Sequence, residues 1–358
     1  MSAASWILTA VAGSLSLLSP LIFRPILRKV GAFDIPNARS SHSKITLRGG
    51  GLSPLLGLGV TFVLIAMGFG LDGQGQQIAM IVMSGAIGIS IIGLVDDLLA
   101  PKTNWVAVRA GVQLAAGLTI SILIPMEAKP WWFVILSAAA FAAYVNFTNF
   151  MDGVNTISSL HGLIAGAAYG VTGAIVGLQW MATVSFALAA AFIAFLPWNV
   201  RKPGIFLGDV GSYLLGGMIA SVGIAAVASD VPVIAVLAPV SIYMADTIST
   251  LVTRLTRKEP IFSAHRSHIY QQVEASGAGH LGASLLVSML TVVVSFFGVL
   301  ACLGDIEEII AGIVIVIFMT GYIMLRPLLS YVNSMSRWAG AAIKTDLSCG
   351  DSNAESDI

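Results

Sequence analysis

Apolar residues run along the chain in blocks of about 18 to 23, most of them without a fixed charge, each long enough to cross a hydrocarbon core of about 30 Å as a helix. Eleven such spans are predicted, at about 5–23, 51–70, 78–95, 105–125, 131–149, 159–178, 180–197, 211–229, 232–252, 281–303 and 308–329. The alternating ten-residue pattern of an outer-membrane barrel is missing, and glycines scattered inside the apolar blocks suit close helix contact in lipid. The pattern predicts an all-α polytopic membrane protein, a bundle of about 11 transmembrane helices (10 or 11).

Composition sharpens this picture. Of 358 residues, 57% are hydrophobic and 10% charged, against about 25% charge in a soluble domain, so a soluble single-core enzyme is excluded. Net charge is zero, but its distribution is uneven. The first apolar block is followed by Arg24, Arg28 and Lys29 and preceded by no cation, which places the N-terminus outside. Loops 24–50, 96–104, 150–158, 198–210 and 253–280 then face the cytoplasm, and Lys129 is the one cation in an outer loop. The outer loops are short. Residues 1–343 read as a single integral-membrane domain and 344–358 as a polar, disordered cytoplasmic tail. Cys302 lies in an apolar block and Cys349 in the tail, so no disulfide framework or paired-thiol metal site is available.

The inner loops hold the unusual residues. The first carries Asp34, Arg39, His42, Lys44 and then Arg48-Gly-Gly-Gly51. Cations beside a glycine run that exposes backbone N–H groups at a helix start suit phosphate, and a basic loop with a flexible entry serves equally as a plain positive-inside loop. The third span ends in Asp96-Asp97. Adjacent carboxylates repel unless a cation or shared proton relieves them, so they are candidates for metal contact or base catalysis, with a solvated helix end as the alternative.

Two further spans bring polar groups to the same depth: the fifth ends Asn146-Phe-Thr-Asn149-Phe-Met-Asp152-Gly-Val-Asn155, and the seventh leads to Phe206-Leu-Gly208-Asp209-Val-Gly211-Ser212. Carboxylate and amide oxygens without Cys suit a hard ion, Mg²⁺ or Mn²⁺. The ninth span contains Asp246, an intramembrane carboxylate open to a site role or a structural hydrogen bond. The last inner loop packs His265, Arg266 and His268 among other cations, a combination suited to phosphate. His161 and His280 are isolated and read as structural.

These motifs, in this order, resemble the polyprenyl-phosphate N-acetylhexosamine-1-phosphate transferases, glycosyltransferase family 4, which include the phospho-N-acetylmuramoyl-pentapeptide translocase. The resemblance runs from about residue 20 to 280. It implies transfer of a sugar 1-phosphate from a UDP-sugar to a polyprenyl (undecaprenyl) phosphate with Mg²⁺ (Mn²⁺ in its place), releasing UMP. It implies a bacterial inner-membrane enzyme, its active site on the cytoplasmic face, with a homodimer plausible and no nucleic-acid partner. Residue by residue, Asp209 and Asn149 resemble the metal ligands, Phe206 the surface on which uracil stacks, and Arg266 with His265 and His268 the pyrophosphate clamp. Asp96 resembles the group that positions or deprotonates the lipid phosphate, with Asp97 and Asp152 shaping the surrounding network and Arg48 a phosphate contact. Lys102 and Arg109 are placed on the lipid phosphate. The His-Arg-x-His loop followed by Tyr270-Gln is similar to the branch using UDP-GlcNAc or 6-deoxy relatives for O-antigen or capsule, in lipopolysaccharide and cell-wall biogenesis. One departure stands out: Asn155 follows where members commonly carry a second Asp, leaving it a role in contacting the uridine or phosphates.

Two other classes share some of these features. A secondary transporter has many spans and intramembrane polar groups, but centres its site near the midplane between related halves. A phosphatidyl transferase using a CDP-alcohol gathers its aspartates in one compact motif.

Overall fold

The computed structural model describes residues 1–36, 45–99, 106–201, 204–260, 266–304 and 306–351, with side chains through residue 331 except at Leu99. The chain runs α1 (Ala3–Leu18), α2 (Pro20–Lys29), β1 (Phe33–Asp34), β2 (Thr46–Leu47), α3 (Leu52–Ala66), α4 (Gly73–Leu99), α5 (Val106–Leu123), α6 (Trp131–Met151) and α7 (Ile157–Ile175). It continues through α8 (Gln179–Val200), α9 (Gly208–Ala228), α10 (Val233–Leu237), α11 (Ser241–Thr256), α12 (Ile269–Val273), α13 (Gly279–Leu303) and α14 (Glu308–Asp351). The two strands form one short antiparallel pair that closes the first inner loop.

All eleven predicted apolar segments are helical, and the fold is an all-α polytopic membrane bundle. The count of eleven spans is not reproduced by length and apolarity. Among the described residues eight helices meet both requirements, or nine if α1 and α2, bent by 40° at Ser19 and Pro20, form one span. The difference has a physical cause: α3 is only 15 residues long, and α7 carries His161, Tyr169 and several hydroxyl residues that lower its apolarity.

α9 lies at the centre of the bundle, buried over most of its length. Small residues let its neighbours close in. A Cβ on Gly216 would lie 2.3 Å from Thr148 Oγ1 and 2.7 Å from Val145 Cα of α6. On α4, a Cβ at Gly93 would lie 2.3 Å from the carbonyl oxygen of Asp209. The glycine therefore draws the end of α4, with Asp96 and Asp97, onto the start of α9.

Candidate active site

The site is built where α4, α6, α9 and the β2–α3 loop meet. Asp97 accepts the N–H groups of Asp209 (3.0 Å, at Oδ1) and Val210 (3.0 Å, at Oδ2), so a carboxylate from α4 caps the N-terminus of α9. Helix starts leave such donors unpaired and favour an anion there. Gly208 makes this approach possible: its φ is +77°, and a Cβ there would sit 2.5 Å from Asp97 Oδ2. Arg48 spans the two acids, with Nε 2.6 Å from Asp97 Oδ1 and a terminal nitrogen 2.8 Å from Asp209 Oδ1. Burial works against the Arg48 cation, but Asp209, Asp97 and Asp34 outweigh it and raise its pKa. Asn149 Nδ2 donates to Asp209 Oδ1 (2.9 Å) and to Ser212 Oγ (3.0 Å).

Arg48, Asn149, Gly208 and Asp209 line a cavity of about 230 Å³ together with Asp34, Asp152, Asn155, Asn199, Phe206 and Gln271. Four of the five predicted inner loops contribute to it, and the fifth supplies Asp97 through Arg48. Loss of solvation pushes the Asp152 carboxyl up to about 8, and the charges of Asp209 and Asp97 add to the effect. Asn155 is held by its backbone, its N–H donating to His280 Nδ1 (3.1 Å) and its carbonyl accepting from Ser284 Oγ (2.9 Å). Among the described residues its side-chain oxygen is buried without a partner. That is an acceptor prepared for a donor, since buried polar atoms are normally paired.

A second acidic group stands apart. Asp96 Oδ2 pairs with Arg109 (3.2 Å) and accepts from the Tyr213 hydroxyl (3.5 Å). Adjacent in sequence, Asp96 and Asp97 thus face different partners. Asn146, one helical turn before Asn149, turns away to Gln113 (2.5 Å).

Asp246 resolves into a structural hub. Fully buried, it accepts from His268 Nδ1 (2.9 Å), the N–H groups of Ile269 (3.1 Å) and Tyr270 (3.0 Å), Thr250 Oγ1 (3.2 Å) and the Tyr322 hydroxyl (2.7 Å). It thereby fixes the imidazole of His268 and the start of α12. Tyr270 then reaches the carbonyl of Phe150 at the end of α6 (3.0 Å), and a Cβ on Gly153 would lie 2.1 Å from that hydroxyl. Arg266 forms an ion pair with Glu274 (2.9 Å).

The glycine run after Arg48 does something other than present N–H groups to phosphate. Gly50 and Gly51 donate to the carbonyls of Phe206 and Leu207, both at 2.8 Å. A Cβ on Gly51 would meet Gly211 Cα at 2.3 Å. The run stitches the first inner loop to the Phe206 loop, so two of its three N–H groups are already used. His265 and Lys102, like Arg39, His42 and Lys44 of the first loop, lie outside the described residues. Asn199 was missed in the sequence: it accepts from Thr156 N–H (2.6 Å) and donates to the Ile205 carbonyl (2.9 Å). A lone Asn at the inner end of a span was its only signal.

The family described as Glycosyl transferase family 4 matches residues 79–227, the stretch that carries Asp96, Asp97, Asn149, Asp152, Phe206 and Asp209. The chain is similar to a probable undecaprenyl-phosphate N-acetylglucosaminyl 1-phosphate transferase of Bacillus subtilis, 27% identical over 297 residues covering 78% of this chain and 81% of that protein. It is similar to a decaprenyl-phosphate N-acetylglucosaminephosphotransferase of Mycobacterium tuberculosis, 27% identical over 345 residues, 86% of this chain and 84% of that one. A phospho-N-acetylmuramoyl-pentapeptide-transferase of Clostridium perfringens matches at 27% over 304 residues, 78% of this chain and 91% of the other.

Proposed function

Because the chain belongs to glycosyl transferase family 4, we propose that it transfers an N-acetylhexosamine 1-phosphate, GlcNAc or a 6-deoxy relative, from a UDP-sugar to polyprenyl phosphate. The observation that carries this reading is Arg48 bridging Asp97 and Asp209 inside a polar cavity at one end of a membrane bundle. An oxygen of the lipid phosphate attacks the sugar-linked phosphorus, the bond to the UMP oxygen breaks, and UMP leaves. Both substrates are anions, so the site must offset like charge and align the reacting groups more than supply a strong nucleophile. Arg48 provides a fixed cation, Phe206 an aromatic face for the uracil, and the Asn155 oxygen an acceptor. The Asp96–Arg109 pair stands beside this cavity and is assigned to the lipid phosphate. We favour direct transfer over an aspartyl intermediate, since Asp97 and Asp209 are already tied to Arg48 and Asp96 to Arg109.

The donor set fits a hard divalent cation shared with substrate. Asp209 and Asn149 would hold it, with Asp152 on the same wall. Among the described residues no three His, Cys, Asp or Glu side chains form an all-protein cage, and Mg²⁺ is ordinarily held by one or two carboxylates plus substrate phosphates and waters. When bound, it would neutralise charge on the transferring phosphate.

The cavity end is assigned to the cytoplasmic face, where nucleotide sugars are made, with the N-terminus outside. A transporter reading is disfavoured because the polar cavity lies at one end, and a separate cavity of about 960 Å³ lined by Asp72, Glu127 and Asp230 lies among the predicted outer loops. Membranes containing the protein, given UDP-GlcNAc and polyprenyl phosphate, should release UMP only when both are present. Absence of UMP across the UDP-hexosamines would overturn the reading.

A further inference from the structure

On α2 three exposed apolar residues share one face and two arginines another. Ile22 and Ile26, one turn apart, are 63% and 50% exposed, and Val30 beyond them is 60% exposed. Arg24 and Arg28, also one turn apart, lie on another side, followed by Lys29. The helix is bent by 40° from α1 and sits at the end of the bundle that holds the polar cavity, since Trp198, the neighbour of cavity-lining Asn199, meets it. Two guanidinium groups converge on that indole: Arg24 Cζ is 5.7 Å and Arg201 Cζ 5.3 Å from the ring centroid. Trp198 is itself fixed, its Nε1 donating to the Leu17 carbonyl at 2.8 Å.

Among the described residues neither arginine is paired with a carboxylate, and the Nε of Arg24 is buried with no hydrogen-bond partner among them. Two cations held at one ring raise the local positive potential, which an anion beside them relieves. Cation–π attraction offsets only part of that cost. At a bilayer surface the anion at hand is a phosphodiester, and a helix with an exposed apolar side and basic residues is the shape that lies in the headgroup plane.

We propose that Arg24, Arg201 and the indole of Trp198 form a headgroup site for an anionic phospholipid of the leaflet on the active-site side, its acyl chains lying against Ile22 and Ile26. The site is distinct from the substrate cavity, and none of these three side chains lines it. It orients α2 and, through the Trp198 to Leu17 contact, pins the end of α1 against α8.

The test uses the full chain in nanodiscs with brominated phosphatidylglycerol or brominated phosphatidylcholine at equal mole fraction. Subtracting the Trp198→Phe protein isolates quenching of Trp198. Wild type should prefer phosphatidylglycerol by at least about fivefold, the scale of one surface cation near anionic lipid. The double variant Arg24→Gln, Arg201→Gln should bring the ratio near one. Equal quenching by both lipids in wild type would overturn the site, and so would a preference unchanged in a folded double variant. Displacement of the brominated phosphatidylglycerol by equimolar polyprenyl phosphate but not by its unbrominated form would assign the site to the acceptor lipid and overturn the proposal. Wild-type quenching decides the case even if the double variant fails to insert.

Discussion

The carboxylate of Asp97 caps α9 from another helix, accepting the N–H groups of Asp209 and Val210 at 3.0 Å each. Asp209 therefore stands at a helix start without capping it, and its side chain is left for Arg48 and Asn149. Replacing Asp97 by Ala strands two buried donors, at a cost of about 1–3 kcal/mol each when unsatisfied. We expect Asp97→Ala to lower the melting temperature clearly and Asp97→Asn, which keeps one acceptor, to lower it less. Melting curves in detergent check this, and an unshifted Asp97→Ala protein would contradict the capping role.

The same relationship makes Asp209→Asn a clean probe. The cap is supplied by Asp97, so the variant should insert and melt near wild type. Turnover should fall by about two to three orders of magnitude, the scale of losing one preorganised electrostatic contact. Near-normal UMP release with an unchanged requirement for divalent cation would remove Asp209 from the reaction.

The helices and the face on which chemistry gathers were legible in the sequence, because apolar blocks of fixed length and the bias of Lys and Arg are local signals. Asn149, Asp152, Phe206 and Asp209 meet in one cavity as their motifs imply. What the sequence hid was pairing across the fold. Nothing local distinguishes Asp96, facing Arg109, from Asp97, facing α9. The glycines after Arg48 looked like a phosphate cradle because backbone N–H groups carry no mark of the carbonyls they meet. Tyr322 and Arg326 sit one turn apart in the last apolar block, and an intramembrane cation there was itself a signal. Arg326 donates to the Ser249 carbonyl (3.1 Å) and to the hydroxyls of Thr250 and Thr253, linking α14 to α11.

Phe206 lines the cavity while its backbone is tied to Leu47 and Gly50. Because the main chain holds the loop, Phe206→Ala should leave the fold intact and weaken UMP and UDP-sugar binding by about 1–3 kcal/mol, the worth of one base stacked on an aromatic ring. Calorimetric titration with UMP measures it. Unchanged nucleotide affinity would return Phe206 to a packing role.

Asp152 gives the site a pH signature. Burial holds its carboxyl at about 8 in the folded protein, above the ordinary aspartate value of about 4, so between those values the folded protein holds a proton that the unfolded chain has lost. Stability must then fall as pH rises through this window. The melting temperature should decline from pH 5 to pH 8, and Asp152→Asn should flatten the decline. If the slope survives in that variant, another group carries it.

The last prediction concerns a residue far from the cavity. Tyr322 on α14 donates at 2.7 Å to the same Asp246 oxygen that receives the Tyr270 N–H, while the other Asp246 oxygen holds His268. Removing the hydroxyl leaves Asp246 its other donors, so Tyr322→Phe should insert normally and cost about 1–3 kcal/mol at most. Asp246→Asn is different. Its amide must turn N–H groups toward donors on one side, which breaks the contacts to His268, Ile269 and Thr250 or those to Tyr270 and Tyr322, and either loss loosens the start of α12 that positions His268. If the His268 loop grips the pyrophosphate, Asp246→Asn should raise the KM for UDP-sugar far more than Tyr322→Phe does, with UMP affinity changed less than UDP-sugar affinity. A merely structural role would lower the amount of folded protein and leave KM unmoved. Steady-state kinetics on the folded fraction of both variants separates the two, and an unchanged KM in folded Asp246→Asn would detach His268 from substrate binding.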